Sequence, residues 1–236
     1  MVSVYEEARE RWTWKNQVTE EGPYGFKILS QIRRQDHDCC TFSAMASTLE
    51  ANVRVQHGRN DQFSIPHLQF IDAQSKISAP NTNETKVLRL LKSLKERDGG
   101  VYLDEDYDSE GNLRALDAKV CRVWKFNLYH VKDIIHLRSA LHRLRRQGPL
   151  LAVIRISRNY DECRKSGHVY KYDPARICTY DDGKPKTHAL CVVSFVTEKG
   201  TPCLECQDSH GTAWGIGGYL TVEIRSLKEL YSVRVT

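Results

Sequence analysis

Cys39 stands at the head of the segment CCTFSAMASTLEANVRV, one histidine lies far downstream in KTHALCVVSF, and the polar turn QDSHGTAWG follows it. These three places supply the types needed for a nucleophile, a base and a group that orients the base. Sulfur attacks as the thiolate, and the start of a helix favours that anion through unpaired backbone N–H groups and the macrodipole. A base must then be brought from elsewhere in the fold, and His188 is placed to be that base. The chemistry in view is nucleophilic catalysis by sulfur.

The elements that must position these groups can be read from periodicity. From Cys39 to Val53, the apolar positions Phe42, Met45, Ala46, Leu49 and Val53 form one helical stripe, with Asp36 or Asp38 suited to cap its start. A shorter helix is predicted around SIPHLQFIDA, where Ser64 precedes Pro66 in the first turn. Another covers ETKVLRLLKSLKE, burying Val87, Leu88, Leu91 and Leu94 and ending before Gly99 and Gly100. Beyond the acidic stretch LDEDYDSEGN the character changes. CRVWKFNLYHV reads as a strand leading into an arginine-bearing helix, and LLAVIRI, HALCVVSFV, CLECQ, GYLTVEIR and YSVRVT read as further strands. A helical half followed by an antiparallel half is an α+β arrangement, and the seam between two such lobes is a common place for a cleft.

Composition bounds the function. The 236 residues are 40% hydrophobic and 28% charged, ordinary values for a globular chain. The longest apolar runs, PLLAVI and ALCVVSFV, are far short of a bilayer span, so no membrane role is expected. The net charge of +5 gathers partly in HLRSALHRLRRQ, where Ile134, Leu137, Leu141 and Leu144 recur at helical spacing. The arginines then fall on a solvated face, and with no stacking array beside them no nucleic-acid partner is expected. The charged N-terminus MVSVYEEARERWTWKN has no apolar signal core, so the eight cysteines are expected to be reduced thiols in a cytoplasmic setting. Cys203-x-x-Cys206 with His210 has the ligand types of a zinc site, but residues three apart on a strand face opposite ways, so no metal or other cofactor is expected.

CCTFSA resembles the CWAFSA segment of papain-like cysteine peptidases, HALCVVSF resembles the segment carrying their histidine, and QDSHGTAWGIGGYLTV resembles their Asn-Ser-Trp-Gly block. FSIPHLQFID and SGHVYKY are similar to two further family segments, and all occur in order. The resemblance implies a two-lobed papain-like fold: residues 1–30 crossing onto the β lobe, 31–118 forming a mainly helical lobe, and 119–236 a mainly β lobe with a barrel-like sheet. It implies Cys39 as nucleophile, His188 as general base and acid, and Asp208 as the residue orienting the imidazole. The activity implied is hydrolysis of peptide bonds through an acyl-enzyme, with a peptide or protein substrate and a protein inhibitor as partners. An impaired relative that binds peptides or a protein in the same cleft is the alternative.

Departures from the family pattern are specific. Arg33 stands where the oxyanion glutamine is expected, which makes Gln35 the substitute donor. Asp208 replaces an asparagine, His210 a shielding tryptophan, and Cys40 the tryptophan beside the nucleophile, while Trp214 matches the block's second tryptophan. Val153 and Ala189 correspond to walls of the main specificity pocket, implying an apolar side chain there, and Trp214 completes the substrate-binding set.

Overall fold

The computed structural model describes residues 12–19, 25–35, 39–78, 84–96, 99–107, 112–113, 120–130 and 132–236. After a short first strand come three helices: α1 (Cys40–His57), α2 (Ile65–Ser78) and α3 (Lys86–Lys95). A fourth, α4 (Ile134–Gln147), and a short fifth, α5 (Tyr160–Ser166), lie among the strands. Strands β1 (Trp12–Thr13), β4 (Val123–Tyr129), β5 (Leu150–Arg155), β6 (Thr187–Glu198), β7 (Thr201–Gln207), β8 (Tyr219–Glu223) and β9 (Leu227–Val235) form one antiparallel sheet. Its order is β4-β9-β5-β6-β7-β8, with β1 added on β6. A small ribbon pairs β2 (Val101–Tyr102) with β3 (Val120–Cys121).

Two apolar cores sandwich the sheet, and alternation along each strand divides its side chains between them. On β5, Leu151 and Val153 join the core built by α1, α2 and α3, whereas Leu150, Ala152 and Ile154 join the core under α4. On β9, Tyr231, Val233 and Val235 go to the first core and Leu230 to the second. Helix α1 lies between them and is buried from Thr41 to Arg54. Its stripe of Phe42, Met45, Ala46, Leu49 and Val53 enters the helical core, while Ala51 enters the other.

A helix so enclosed must satisfy its polar groups with named partners. The fully buried Glu50 accepts hydrogen bonds from Arg33 at 2.6 Å, from the Phe63 N–H at 2.8 Å and from Ser30. Asn52 donates to the Pro149 carbonyl at 2.9 Å, and Gln56 donates to the Gln147 and Val233 carbonyls. These contacts tie α1 to the segment before it and to the strand ends.

The predicted helices form with small shifts. Helix α1 begins at Cys40 rather than Cys39; Cys39 is its N-cap without a side-chain cap bond, and Asp36 and Asp38 lie outside the described residues. Ser64 Oγ accepts the His67 N–H at 3.2 Å in the first turn of α2. In α3, capped by Thr85, the buried positions are Val87, Leu90, Leu91 and Leu94, with Leu88 only half-buried. Leu137, Leu141 and Leu144 bury the inner face of α4, and Asp133 caps it by accepting the Ile135 and His136 N–H groups. All eight cysteines are free thiols, with Cys203 and Cys206 both buried on β7. Among the described residues no helix is long and apolar enough to cross a membrane.

Leu49 is fully buried at the centre of the helical core, so Leu49→Ala is expected to cost about 2–5 kcal/mol in urea unfolding. Ile135→Ala, at a side chain 72% exposed, should stay within about 0.5 kcal/mol of the parent chain.

Candidate active site

Antiparallel neighbours bring the beginning of one strand beside the end of the next, and that geometry assembles the site. His188 is the second residue of β6, and Asp208 directly follows the last residue of β7, so both stand at one end of the sheet. His188 Nε2 lies 3.0 Å from Asp208 Oδ1, and both side chains are buried. The turn carrying Asp208 is fixed from behind: its N–H donates to the Gly218 carbonyl at 2.9 Å. Gly218 has φ +86, and a Cβ there would lie 2.7 Å from an Ile32 methyl, so only glycine fits.

The thiol that meets the imidazole is Cys40. It lies near enough to His188 for each group to shift the other's titration, and with Nε2 engaged by Asp208 the nitrogen left for sulfur is Nδ1. Cys39, expected across from His188, is turned elsewhere. It packs against the helical core, and its sulfur accepts from Gln69 Nε2 at 3.3 Å. Helix geometry explains the correction. Cys39 is in phase with Phe42, Ala46, Leu49 and Val53, the stripe that points into the helical core. Cys40 is in phase with Thr48 and Ala51, and Thr48 lies against Cys191 on β6. The face that reaches the strand bearing His188 therefore carries Cys40.

Burial pushes the Cys40 thiol up, but the neighbouring imidazolium, its hydrogen bond, the Ala189 N–H and the Thr41 hydroxyl outweigh it and bring the thiol down to about 7. Burial pushes His188 down, but the Cys40 thiolate and the Asp208 carboxylate raise it to about 10. Burial alone would raise Asp208, yet His188 and His210 hold its carboxyl far below the usual range. Both shifts act in one direction, favouring thiolate and imidazolium together.

Asp208 has more partners than the sequence suggested. His210 Nδ1 lies 2.8 Å from the same Oδ1, the Ser209 N–H donates to it at 2.7 Å, and the Tyr160 hydroxyl donates to Oδ2 at 3.3 Å. Tyr160 belongs to α5, a helix of seven residues with too short a pattern to register in the sequence. Gln35 is joined to this turn: its N–H donates to the Ser209 carbonyl at 2.7 Å, and its side-chain carbonyl accepts from the Ser209 hydroxyl. The amide nitrogen is thus the end of Gln35 left to face a ligand. Val153 and Ala189 are register partners on β5 and β6, each 3% exposed. Trp214 is half-buried, with the Arg164 guanidinium 4.2 Å above its ring and His210 at 6.4 Å.

Two outcomes follow from these charges. Alkylation by iodoacetamide should modify Cys40 in the Cys39→Ser chain, with a rate that rises through about pH 7 rather than the roughly 8.5 of a free thiol. His188→Ala should move that rise back to the free-thiol range. Because Asp208 has a lower pKa folded than unfolded, its stabilisation is complete above about pH 4 and is lost as the pH falls further. Urea midpoints between pH 5 and 3 should therefore fall more steeply for the parent chain than for Asp208→Asn.

The chain matches the model for the papain family cysteine protease over residues 18–231. Its fold superposes on a mite-allergen structure from a study of antibody cross-reactivity between Blo t 1 and Der p 1, with TM-score 0.64 and 17% identity, covering 99% of this chain and 73% of that one. It also superposes on proCathepsin B S9 from Trypanosoma congolense, with TM-score 0.59 and 16% identity over 89% and 73% of the two chains. For digestive procathepsin L 3 of Tenebrio molitor larval midgut the TM-score is 0.60 at 17% identity, over 88% and 67%. At such identities these likenesses establish the two-lobed α+β fold, and the family match gives the rest: the chain belongs to the papain family of cysteine proteases.

Proposed function

We propose that the protein is a peptidase that cleaves peptide bonds by acyl transfer to the sulfur of Cys40. The observation that carries this reading is the contact of the Cys40 thiol, on the first residue of a helix, with an imidazole whose other nitrogen is held by a buried carboxylate. The thiolate attacks the substrate carbonyl, and the Cys40 backbone N–H and the Gln35 amide nitrogen receive the oxyanion. The His188 imidazolium, held through Nε2–H by Asp208, protonates the leaving amine from Nδ1. His188 then deprotonates the water that hydrolyses the thioester. Val153 and Ala189 favour an apolar substrate side chain, and Trp214 flanks the leaving-group side. A second reading, peptide binding in the same cleft without turnover, is favoured by the division of Asp208 Oδ1 between His188 and His210.

A panel of fluorogenic peptides decides between them. Turnover should fall at least about 1,000-fold in Cys40→Ala and stay within about threefold in Cys39→Ala. Gln35→Ala should cost roughly 100- to 1,000-fold in kcat. Activity that survives Cys40→Ala and vanishes in Cys39→Ala would refute the assignment. Tight peptide binding with no hydrolysis of any panel member would favour the second reading.

A further inference from the structure

His188 Nε2, Asp208 Oδ1 and His210 Nδ1 lie within 4.8 Å of one another, and both nitrogens face the same carboxylate oxygen, from 3.0 and 2.8 Å. Two imidazoles and one carboxylate are the donors of three-ligand zinc sites, which leave a fourth tetrahedral position open. We propose that His188, Asp208 and His210 form a binding site for a divalent transition metal, zinc being the ion its donors suit, and that metal bound there switches the enzyme off. The site stands on the geometry alone; the switch rests on the function proposed above.

Ligands about 2.0–2.1 Å from a tetrahedral ion sit roughly 3.3 Å apart, close to both nitrogen–oxygen separations here. Only the two nitrogens must approach each other. His210 is the side chain able to move: it is 23% exposed, against 7% for His188, and it lies on the turn just before Gly211, which has φ +86. Groups that would orient the ligands are already in place, with the Tyr160 hydroxyl on Oδ2 and the Ser209 N–H on Oδ1.

The proton accounting is simple. Binding displaces the Nε2 proton of the His188 imidazolium and leaves Nδ1–H facing sulfur. His210 yields Nδ1 by carrying its proton on Nε2, so one proton is released per ion. Ligation would silence the imidazole, because giving up its last proton to a leaving amine would leave a metal-bound imidazolate.

Zinc titration by calorimetry into the Cys40→Ala chain, where the sulfur is gone and turnover plays no part, tests the site. One ion per chain should bind, with affinity that weakens as the pH is lowered and protons compete for the imidazoles. His210→Ala should weaken binding at least about 30-fold, and His210→Gln, which keeps a hydrogen-bonding side chain, should weaken it equally; circular dichroism checks that both fold. Unchanged affinity in both variants, or binding that requires the Cys40 sulfur, would overturn the site. In the parent chain, zinc should abolish peptide turnover and a chelator should restore it. Zinc bound at the triad with undiminished turnover would overturn the switch alone, and a chain that cleaves no peptide would overturn the function while the titration still decides the site.

Discussion

The seating of α1 between two cores is the constraint on which the molecule depends. Thr41 to Arg54 of this helix are buried, so the face given to each core cannot rotate without exposing apolar surface on one side and opening a cavity on the other. A turn of about 100° corresponds to one residue, and losing even two or three buried side chains to that turn would cost several kcal/mol. The azimuth of the helix is therefore fixed by its length of packing, and with it the choice of which of two adjacent thiols faces the imidazole. The direction in which the first residue points is set by Leu49 and Val53, several turns away.

The same helix positions the segment that carries Gln35 through charge. Glu50 is fully buried, and a buried carboxylate without partners would be strongly destabilising. Arg33, Ser30 and the Phe63 N–H meet that need, and in doing so they draw the 30–35 segment across the helix. Arg33 accordingly occupies the sequence place of the family's glutamine for a structural reason. Gln35, two residues on, is carried to the Ser209 turn, where backbone and side-chain bonds both hold it.

How much of this was legible depended on which signal each residue gave. The strands announced themselves by β-branched runs between turn residues, and β5 to β9 fall where those runs lie. His188 and Asp208, singled out by their flanking segments, stand 3.0 Å apart. At the sulfur two signals conflict: lining up Phe42-Ser43-Ala44 with the family segment selects Cys39, whereas the helical stripe, read from the same residues, turns Cys39 into the core and leaves Cys40 for β6. Packing outranks motif alignment because the motif says nothing about azimuth. Tyr160 gave no signal, since a seven-residue helix is too short for periodicity and its contact with Asp208 spans 48 residues of chain.

Asp208 and His210 make sense as one change rather than two. A carboxylate oxygen pair can accept about four hydrogen bonds, and Asp208 accepts four, from His188, His210, the Ser209 N–H and Tyr160. With an indole at position 210 in place of imidazole, a carboxylate at 208 would lose one of its two neighbouring imidazoles. The charge brought in at 208 is thus matched by the donor brought in at 210. The arrangement has a chemical consequence. A fully ionised partner holds the His188 proton more firmly than a neutral amide would, which strengthens the resting thiolate–imidazolium pair. The same carboxylate still holds that proton when the leaving amine must take it, so His188 is a weaker proton donor than it would be beside an amide. The substitution stabilises the ground state of the proposed reaction at the expense of its proton-transfer step.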